Sequence, residues 1–210
     1  MGEVRKNIAK RAALEISNGM VVNLGIGIPS LVPNFLPNDI SVWFQAENGI
    51  LGMGPTPVEY ESDENLCNAA GYPVTVLPGA SFFDSAISFG MIRKGCIDVT
   101  ILGALQVSKQ GDLANWLVPG KKVPGVGGAM ELAYGAKKVV VVMTHCDKEG
   151  ISKIVDTCTL PLTMKKCVTK IITEKAVLQV RNEGLFLEEL LNGTTKKELQ
   201  ELTLVPIINL

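Results

Sequence analysis

A single glutamate, Glu47, stands where a hydrophobic stretch meets a glycine-rich one, in WFQAENGILGMGP. In parallel α/β sheets, ligands bind beyond the carboxyl ends of the strands, and a glutamate at this junction would lie there. Gly49, Gly52 and Gly54 add little bulk around it, so a large substrate can approach. Two interpretations fit: a catalytic carboxylate, or an ordinary Asn-Gly turn carrying a solvated glutamate.

Two other glycine-rich turns lie immediately before a predicted helix, so that their backbone N–H groups are not covered by side chains. They are GIGIPS at 25–30 and PGVGGAMEL at 124–132. Backbone N–H groups at a helix N-terminus can hold an anion or a developing oxyanion. Each turn is also explained as a tight connection between elements. The first is not a full dinucleotide-binding turn, because Ser30 stands where the third glycine is needed.

The remaining polar candidates have structural alternatives. Asn115 and Trp116, in GDLANWLVPGKKVPG, could contact a ligand, but a tryptophan in a loop is typical of a packing anchor. His145 is the only histidine, and with Cys146 it is interpreted as a buried strand end because no further metal ligands share a usable spacing. We therefore expect no metal site.

The standard acid–base motifs are absent from the sequence. There is no G-x-S-x-G elbow, no H-E-x-x-H and no G-x-x-x-x-G-K-[ST] loop. A serine triad would have to use His145. A reaction that needs only a nucleophilic carboxylate and oxyanion donors fits this inventory.

Composition predicts one globular domain over residues 1–210. Of the 210 residues, 47% are hydrophobic and 20% charged, and the net charge of −1 favours neither nucleic acid nor an acidic membrane as a partner. No basic cluster is longer than a pair such as Lys121-Lys122, and the longest apolar run, Val139 to Met143, is too short to cross a bilayer. Five scattered cysteines and the lack of a targeting signal predict reduced thiols in the cytoplasm.

Periodicity predicts alternating helices and strands. Helices are expected over 3–17, from Pro29 to Pro37, over Phe82–Arg93 with a capping box from Ser81, over Ala129–Ala133, and after Thr195. Strands are expected at 20–24, 41–44, 74–77, 98–102, 138–143, 168–172 and 176–180. Continuous apolar runs such as VVVVM are typical of strands buried on both faces, which indicates a parallel sheet between two helix layers.

Taken together, these segments resemble the beta subunit of family I CoA-transferases. The matching stretches are NLGIGIP (23–29), ENGILGMGP (47–55), FFDSAISFGMIR (82–93), LGALQVSKQGDLANWLVPGK (102–121), GVGGAMEL (125–132), CTLPLT (158–163) and IITEKAVLQV (171–180). The resemblance implies an α/β, three-layer Rossmann-like CoA-transferase fold. It implies a partner alpha subunit, in a heterodimer or heterotetramer with the site at the interface.

The resemblance also assigns site residues. Glu47 is implied as the nucleophile that forms a covalent glutamyl-CoA thioester, with backbone amides of Gly27 and Gly128 as oxyanion or substrate donors. Asn48 and Gly49 are implied to bind CoA. Coenzyme A is a substrate here, exchanged between an acyl-CoA and a short-chain acid such as acetoacetate, and no other cofactor is implied.

Three departures from the family pattern leave the acid specificity open. Ala46 precedes the glutamate where serine is usual, Cys96 ends the helix motif where histidine is frequent, and Glu131 replaces aspartate. A β-ketoadipate:succinyl-CoA transferase subunit and a non-catalytic binding partner of the same fold stay open as alternatives. A sugar-phosphate isomerase would need lysine or threonine in its glycine loops, and a dehydrogenase would need the missing third glycine.

Overall fold

The computed structural model describes residues 2–120 and 125–209, so the Lys121-Lys122 pair lies outside the described residues. The helices in this part are α1 (Gly2–Ala13), α2 (Ser85–Arg93), α3 (Ala129–Gly135) and α4 (Lys196–Leu202), with short 3₁₀ helices at Pro29–Phe35 and Glu59–Glu61. The strands are β1 (Val21–Leu24), β2 (Trp43–Ala46), β3 (Ile50–Met53), β4 (Val76–Phe82), β5 (Val99–Gly103), β6 (Gln106–Ser108), β7 (Leu113–Ala114), β8 (Lys138–Val142), β9 (Ile154–Val155), β10 (Lys170–Ile172), β11 (Ala176–Arg181), β12 (Gly184–Leu190) and β13 (Ile207–Ile208).

Ten of these strands form one mixed sheet within the described residues, in the order β13-β12-β11-β10-β8-β5-β1-β2-β3-β4. The five central strands, β10, β8, β5, β1 and β2, are parallel, and antiparallel strands extend the sheet on both sides. The carboxyl ends of β1, β2, β5 and β8 therefore meet at one edge. This is the edge at which α/β sheets bind ligands.

Helices cover both faces of the sheet, which confirms the three-layer architecture. On one face Ile8 and Ala12 of α1 pack against alternate strand residues such as Val22 and Val140. On the other face Ile92 and Leu132, from α2 and α3, pack with the intervening residues, of which Val141 is one. The apolar run of β8 is buried throughout because successive side chains point to opposite faces of the sheet and pack into the hydrophobic core on each face.

The first two helices differ from the sequence prediction. α1 ends at Ala13, not at residue 17, because residues 14–16 donate their N–H groups three residues back instead of four, and Ile16 still joins the core. The segment after Pro29 is a 3₁₀ helix ending at Phe35, not an α-helix. Pro33 lies inside it and has no N–H to donate, which disfavours an α-helical ladder.

The start of α2 was also predicted wrongly. Ser81 belongs to β4, and α2 begins at Ser85 with Asp84 as its cap, whose carboxylate accepts the Ile87 N–H at 2.8 Å. At the C-terminal helix the prediction is confirmed, since the Thr195 hydroxyl accepts the Glu198 N–H at 3.2 Å. Side-chain oxygens at both starts satisfy N–H groups that the helix leaves free.

A second, three-stranded sheet of β7, β6 and β9 was missed from the sequence. Its strands have two or three residues each, too few to show a periodicity. Within the described residues, no helix has both the length and the apolar composition needed to cross a membrane.

Candidate active site

Glu47 lies in a tight turn directly after β2. The Gly49 N–H donates to the Ala46 carbonyl at 3.0 Å, which makes Glu47 the second residue of a β-turn between β2 and β3. The turn interpretation from the sequence is thus correct for the backbone. The side chain, however, is half-buried and not freely solvated.

The residues after Glu47 hold this turn in place. A Cβ on Gly49 would lie 1.8 Å from the Phe83 carbonyl oxygen, and its φ of +113° also favours glycine. The Phe83 N–H donates to the Gly49 carbonyl at 3.0 Å. The Asn48 amide donates to the Cys67 carbonyl at 2.7 Å. Both residues have a structural role here, and their assignment to CoA binding stays a prediction.

Burial raises the pKa of the Glu47 carboxyl above its ordinary value of 4.5. Its own backbone N–H and the side-chain amide of Asn23 oppose the rise, but burial dominates. A carboxylate with a raised pKa is more basic, and hence a better nucleophile, once it is ionised. The environment therefore suits a reacting group better than a solvated surface glutamate.

Gly128 is brought directly against the Glu47 side chain. A Cβ on Gly128 would lie 2.8 Å from Cγ and 2.9 Å from Oε1 of Glu47, so any side chain at this position would displace the carboxylate. Gly128 precedes α3, with φ −80° and ψ −1°. Two residues far apart in the sequence, one from the ENG motif and one from GVGGAM, thus meet at a single point.

Gly27 occupies a different position. It has a φ of +90°, and apart from its chain neighbours no described atom lies within 4 Å of where its Cβ would be. It lines a cavity at the ends of β1, β5 and β8. The structure therefore does not bring Gly27 into the contact that Gly128 makes with Glu47, and its role as an oxyanion donor stays a prediction.

Buried polar side chains form a row beneath the Glu47 turn, on the α2 face of the sheet. Asn23 Nδ2 donates to Gln45 Oε1 at 2.7 Å, and Gln45 Nε2 donates to Ser88 Oγ at 2.7 Å. Ser88 Oγ donates in turn to the Ala46 carbonyl at 3.3 Å. Sequence reasoning missed this row, although Asn23 and Gln45 are polar residues inside apolar strand patterns. This row of hydrogen bonds connects the end of β2 to both β1 and α2.

Asn115, Trp116 and His145 have protein partners. The Asn115 amide donates to the Gly103 carbonyl at 3.2 Å, and the Trp116 indole donates to the Leu162 carbonyl at 3.3 Å. The buried His145 ring has threonine hydroxyls at 3.2 Å and 3.0 Å from its two nitrogens. These side chains anchor loops, as their structural interpretations predicted. Among the described residues, no group of three potential metal-ligating side chains forms.

The sequence matches the family described as "Coenzyme A transferase" over residues 5–201. A probable coenzyme A transferase subunit beta of Bacillus subtilis is 66% identical over 199 residues, which span 95% of this chain and 92% of that protein. The human mitochondrial succinyl-CoA:3-ketoacid coenzyme A transferase 2 is 54% identical over 203 residues, which span 96% of this chain and 39% of that protein.

Solved structures share the fold at low sequence identity. An acyl-CoA transferase of Escherichia coli O157:H7 superposes with a TM-score of 0.75 at 22% identity, over 97% of this chain and 41% of that one. One chain of the decarboxylase AibA/AibB superposes with a TM-score of 0.70 at 19% identity, over 97% of this chain and 84% of that one. The fold therefore carries more than one chemistry, and the reaction must be argued from the site.

Proposed function

Because the chain belongs to the coenzyme A transferase family, we propose that it is the subunit that supplies the nucleophile, Glu47, for transfer of CoA through a covalent glutamyl-CoA thioester. The observation that carries the proposal is the contact between Gly128 and the Glu47 carboxylate. At this contact a half-buried carboxylate lies directly beside a residue that has no side chain.

In the first half-reaction, a Glu47 oxygen attacks the carbonyl carbon of an acyl-CoA. The tetrahedral oxyanion collapses, the C–S bond breaks, and CoA leaves as a thiolate while a mixed anhydride forms with Glu47. A free thiol has a pKa of about 8.5, so the thiolate is an acceptable leaving group without an acid catalyst. The thiolate then attacks the glutamyl carbonyl of the anhydride, which releases the first acid and leaves glutamyl-CoA.

The second half-reaction repeats these steps in reverse order. A new carboxylate attacks glutamyl-CoA and expels CoA thiolate, forming a second mixed anhydride. The thiolate attacks the acyl carbonyl of that anhydride, which frees Glu47 and gives the new acyl-CoA. No histidine or metal is needed at any step, in keeping with the absence of acid–base motifs near Glu47 in the sequence.

The environment of Glu47 suits a reaction that must conserve a thioester. Ile50 in β3 is buried, and Leu51 and Met53 are half-buried, so the turn borders apolar surface that excludes water. Water would hydrolyse the anhydride and the glutamyl thioester. Main-chain N–H groups near Gly128 could then stabilise each oxyanion, and a donor of this kind contributes roughly 3 kcal/mol.

The names of the relatives suggest the substrates and the partner. One relative is called a subunit beta, and the human relative is named for succinyl-CoA and a 3-ketoacid. This chain spans only 39% of the human protein, which leaves room there for a second unit. We infer an alpha-subunit partner and a 3-oxoacid such as acetoacetate as acceptor, with the reaction taking place in the cytoplasm.

Three substitutions at Glu47 test the nucleophile in the chain assembled with its alpha partner. Glu47→Ala should lower kcat on the order of 10⁴-fold or more, as removal of a covalent nucleophile does elsewhere. Glu47→Asp should also lose most activity, because the shorter side chain withdraws the carboxylate from its position. Glu47→Gln should start inactive and regain activity slowly if its amide hydrolyses.

The matched control is Glu64→Gln, since Glu64 is an exposed acid in the loop between β3 and β4. It should retain full activity. CoA transfer by the assembled Glu47→Ala protein at a rate close to that of the Glu64→Gln control would contradict the proposal.

A further inference from the structure

The cavity that Gly27 lines, of about 200 Å³, opens at the carboxyl edge of the sheet. Its walls come from the ends of β1, β5 and β8, and include Gly27, Gly103 and Thr144. The chain runs from β1 to β2 on one side and returns to β5 on the other, so β1 and β5 flank the switch point of the sheet. The crevice at such a point is where open α/β sheets bind ligands.

Two cations, Arg5 from α1 and Lys153, line this cavity. Lys153 Nζ donates to the Thr144 hydroxyl at 2.7 Å, which uses one of its three N–H groups. Among residues 2–120 and 125–209, neither Arg5 nor Lys153 has a carboxylate within salt-bridge distance. The cavity therefore presents like charges and free donors without a counter-ion in contact.

Two acids whose charges act on Lys153 are engaged elsewhere. Glu174 accepts the His145 N–H at 3.0 Å, and Asp147 accepts two backbone N–H groups of its own turn at 2.9 Å each. Burial lowers the pKa of the Lys153 ammonium. The negative charges of Glu174 and Asp147 oppose this decrease, and the positive charge of Arg5 adds to it. Burial is the largest of these influences, so the pKa of Lys153 lies below its ordinary value.

We propose that this cavity is a binding site for a small oxyanion of phosphate size, held by Lys153 and Arg5 over the ends of β1 and β5. Gly27 and Gly103 add no side chains to the lining, and the two cations supply charged donors. Such charge-assisted hydrogen bonds are the strongest that phosphate and carboxylate oxygens form in proteins.

The oxyanion has two possible sources. Neighbouring strands lie about 4.8 Å apart, so a site over β5 is roughly 10 Å from the end of β2, where Glu47 lies. A phosphate group of a bound coenzyme could span this separation through its pantetheine arm, an assignment that rests on the proposed function. A free phosphate could also bind independently of the reaction.

Titration with inorganic phosphate against sodium chloride of equal ionic strength tests the site, with the melting temperature of the full chain as readout. The wild type should show a saturable increase, and Lys153→Met and Arg5→Gln should each weaken phosphate affinity roughly tenfold or more. Lys153→Arg should retain binding, because it keeps the charge. Lys148→Met, at an exposed lysine in the neighbouring turn, is the matched control and should behave as wild type.

Two results would overturn the site: no saturable response in the wild type, or an unchanged response in Lys153→Met. A Glu47→Gln chain should bind phosphate normally, so this proposal and the proposed function can fail separately. Two measurements on the assembled enzyme distinguish the sources. If phosphate competes with acyl-CoA, and if Lys153→Met raises KM for acyl-CoA but not for an acyl-pantetheine, the ligand is a phosphate group of the coenzyme. A free oxyanion is the ligand if phosphate binds without competition and KM is unchanged.

Discussion

The carboxylate of Glu47 is positioned by main-chain contacts more than by side-chain partners. Gly49 fixes the turn against Phe83, and Gly128 limits the space beside the carboxylate. The sequence was sufficient to single out Glu47, through its motif and the family resemblance. It could not reveal the contact with Gly128, because that contact depends on how α3 packs and leaves no trace in local periodicity.

Gly128→Ala should impair transfer without unfolding the protein. The backbone angles at Gly128 are accessible to alanine, but the new methyl group would lie within 3 Å of Glu47 and push the carboxylate aside. A displacement on the order of 1 Å costs about 100-fold in rate, while stability should change by about 1 kcal/mol or less. Steady-state kinetics and thermal melting measure the two effects; wild-type kcat/KM in this variant would refute the role of the contact.

At the level of elements, the interiors of helices and strands were easier to predict than their ends. The predicted strands overlap β1, β2, β4, β5, β8, β10 and β11, whereas β3, β12 and β13 were not predicted. The end of α1 and the start of α2 were wrong, because a change from α to 3₁₀ bonding at residues 14–16 and a cap at Asp84 depend on tertiary context. The short strands β6, β7 and β9 exist only because they pair with each other.

The packing of α2 against α3 gives a prediction at this scale. A Cβ on Gly135 would lie 2.2 Å from the Ile92 carbonyl oxygen, so Gly135→Ala must push the two helices apart. We expect a loss of about 1–3 kcal/mol in the free energy of unfolding, measured by urea denaturation.

Gly90→Ala is the control in the same helix pair. Gly90 is an exposed residue of α2 with open space around it, and alanine there should stabilise the protein by about 0.5–1 kcal/mol. Equal effects of the two substitutions would show that helix propensity, and not the close approach, governs both.

Across the whole molecule, an ion network joins α1 to distant strands. The nearly buried Glu15, just after α1, lies 2.8 Å from Arg11, 2.5 Å from Lys138 of β8 and 3.1 Å from Lys170 of β10. Lys170 also pairs with Glu188 of β12 at 2.7 Å. No local sequence pattern predicts such a network, since its members meet only after the sheet has formed.

This network should make stability depend on acid pH. Burial alone would raise the pKa of Glu15, but hydrogen bonds from Lys138, Arg11 and Lys170 outweigh it and lower the pKa from 4.5 to about 2. A lowered pKa in the folded state gives stability that is present above pH 4.5 and lost as pH falls towards 2. The free energy of unfolding should fall between about pH 6 and about pH 2, and Glu15→Gln should reduce this fall by about 2–3 kcal/mol, as measured by denaturation at each pH.

Glu64→Gln, at an exposed acid outside the network, is the control and should leave the pH dependence of unfolding unchanged. If Glu15→Gln gives the same acid slope as this control, the ion network does not govern acid stability.

Covalent trapping tests the central claim most directly. The chain assembled with its alpha partner would be incubated with acyl-CoA alone, reduced with borohydride, digested and analysed by mass spectrometry. We predict that the peptide containing Glu47 carries a primary alcohol in place of the side-chain carboxyl, and that omission of acyl-CoA abolishes this product. An unmodified Glu47 peptide from a fully active preparation, or reduction at a different residue, would contradict the account.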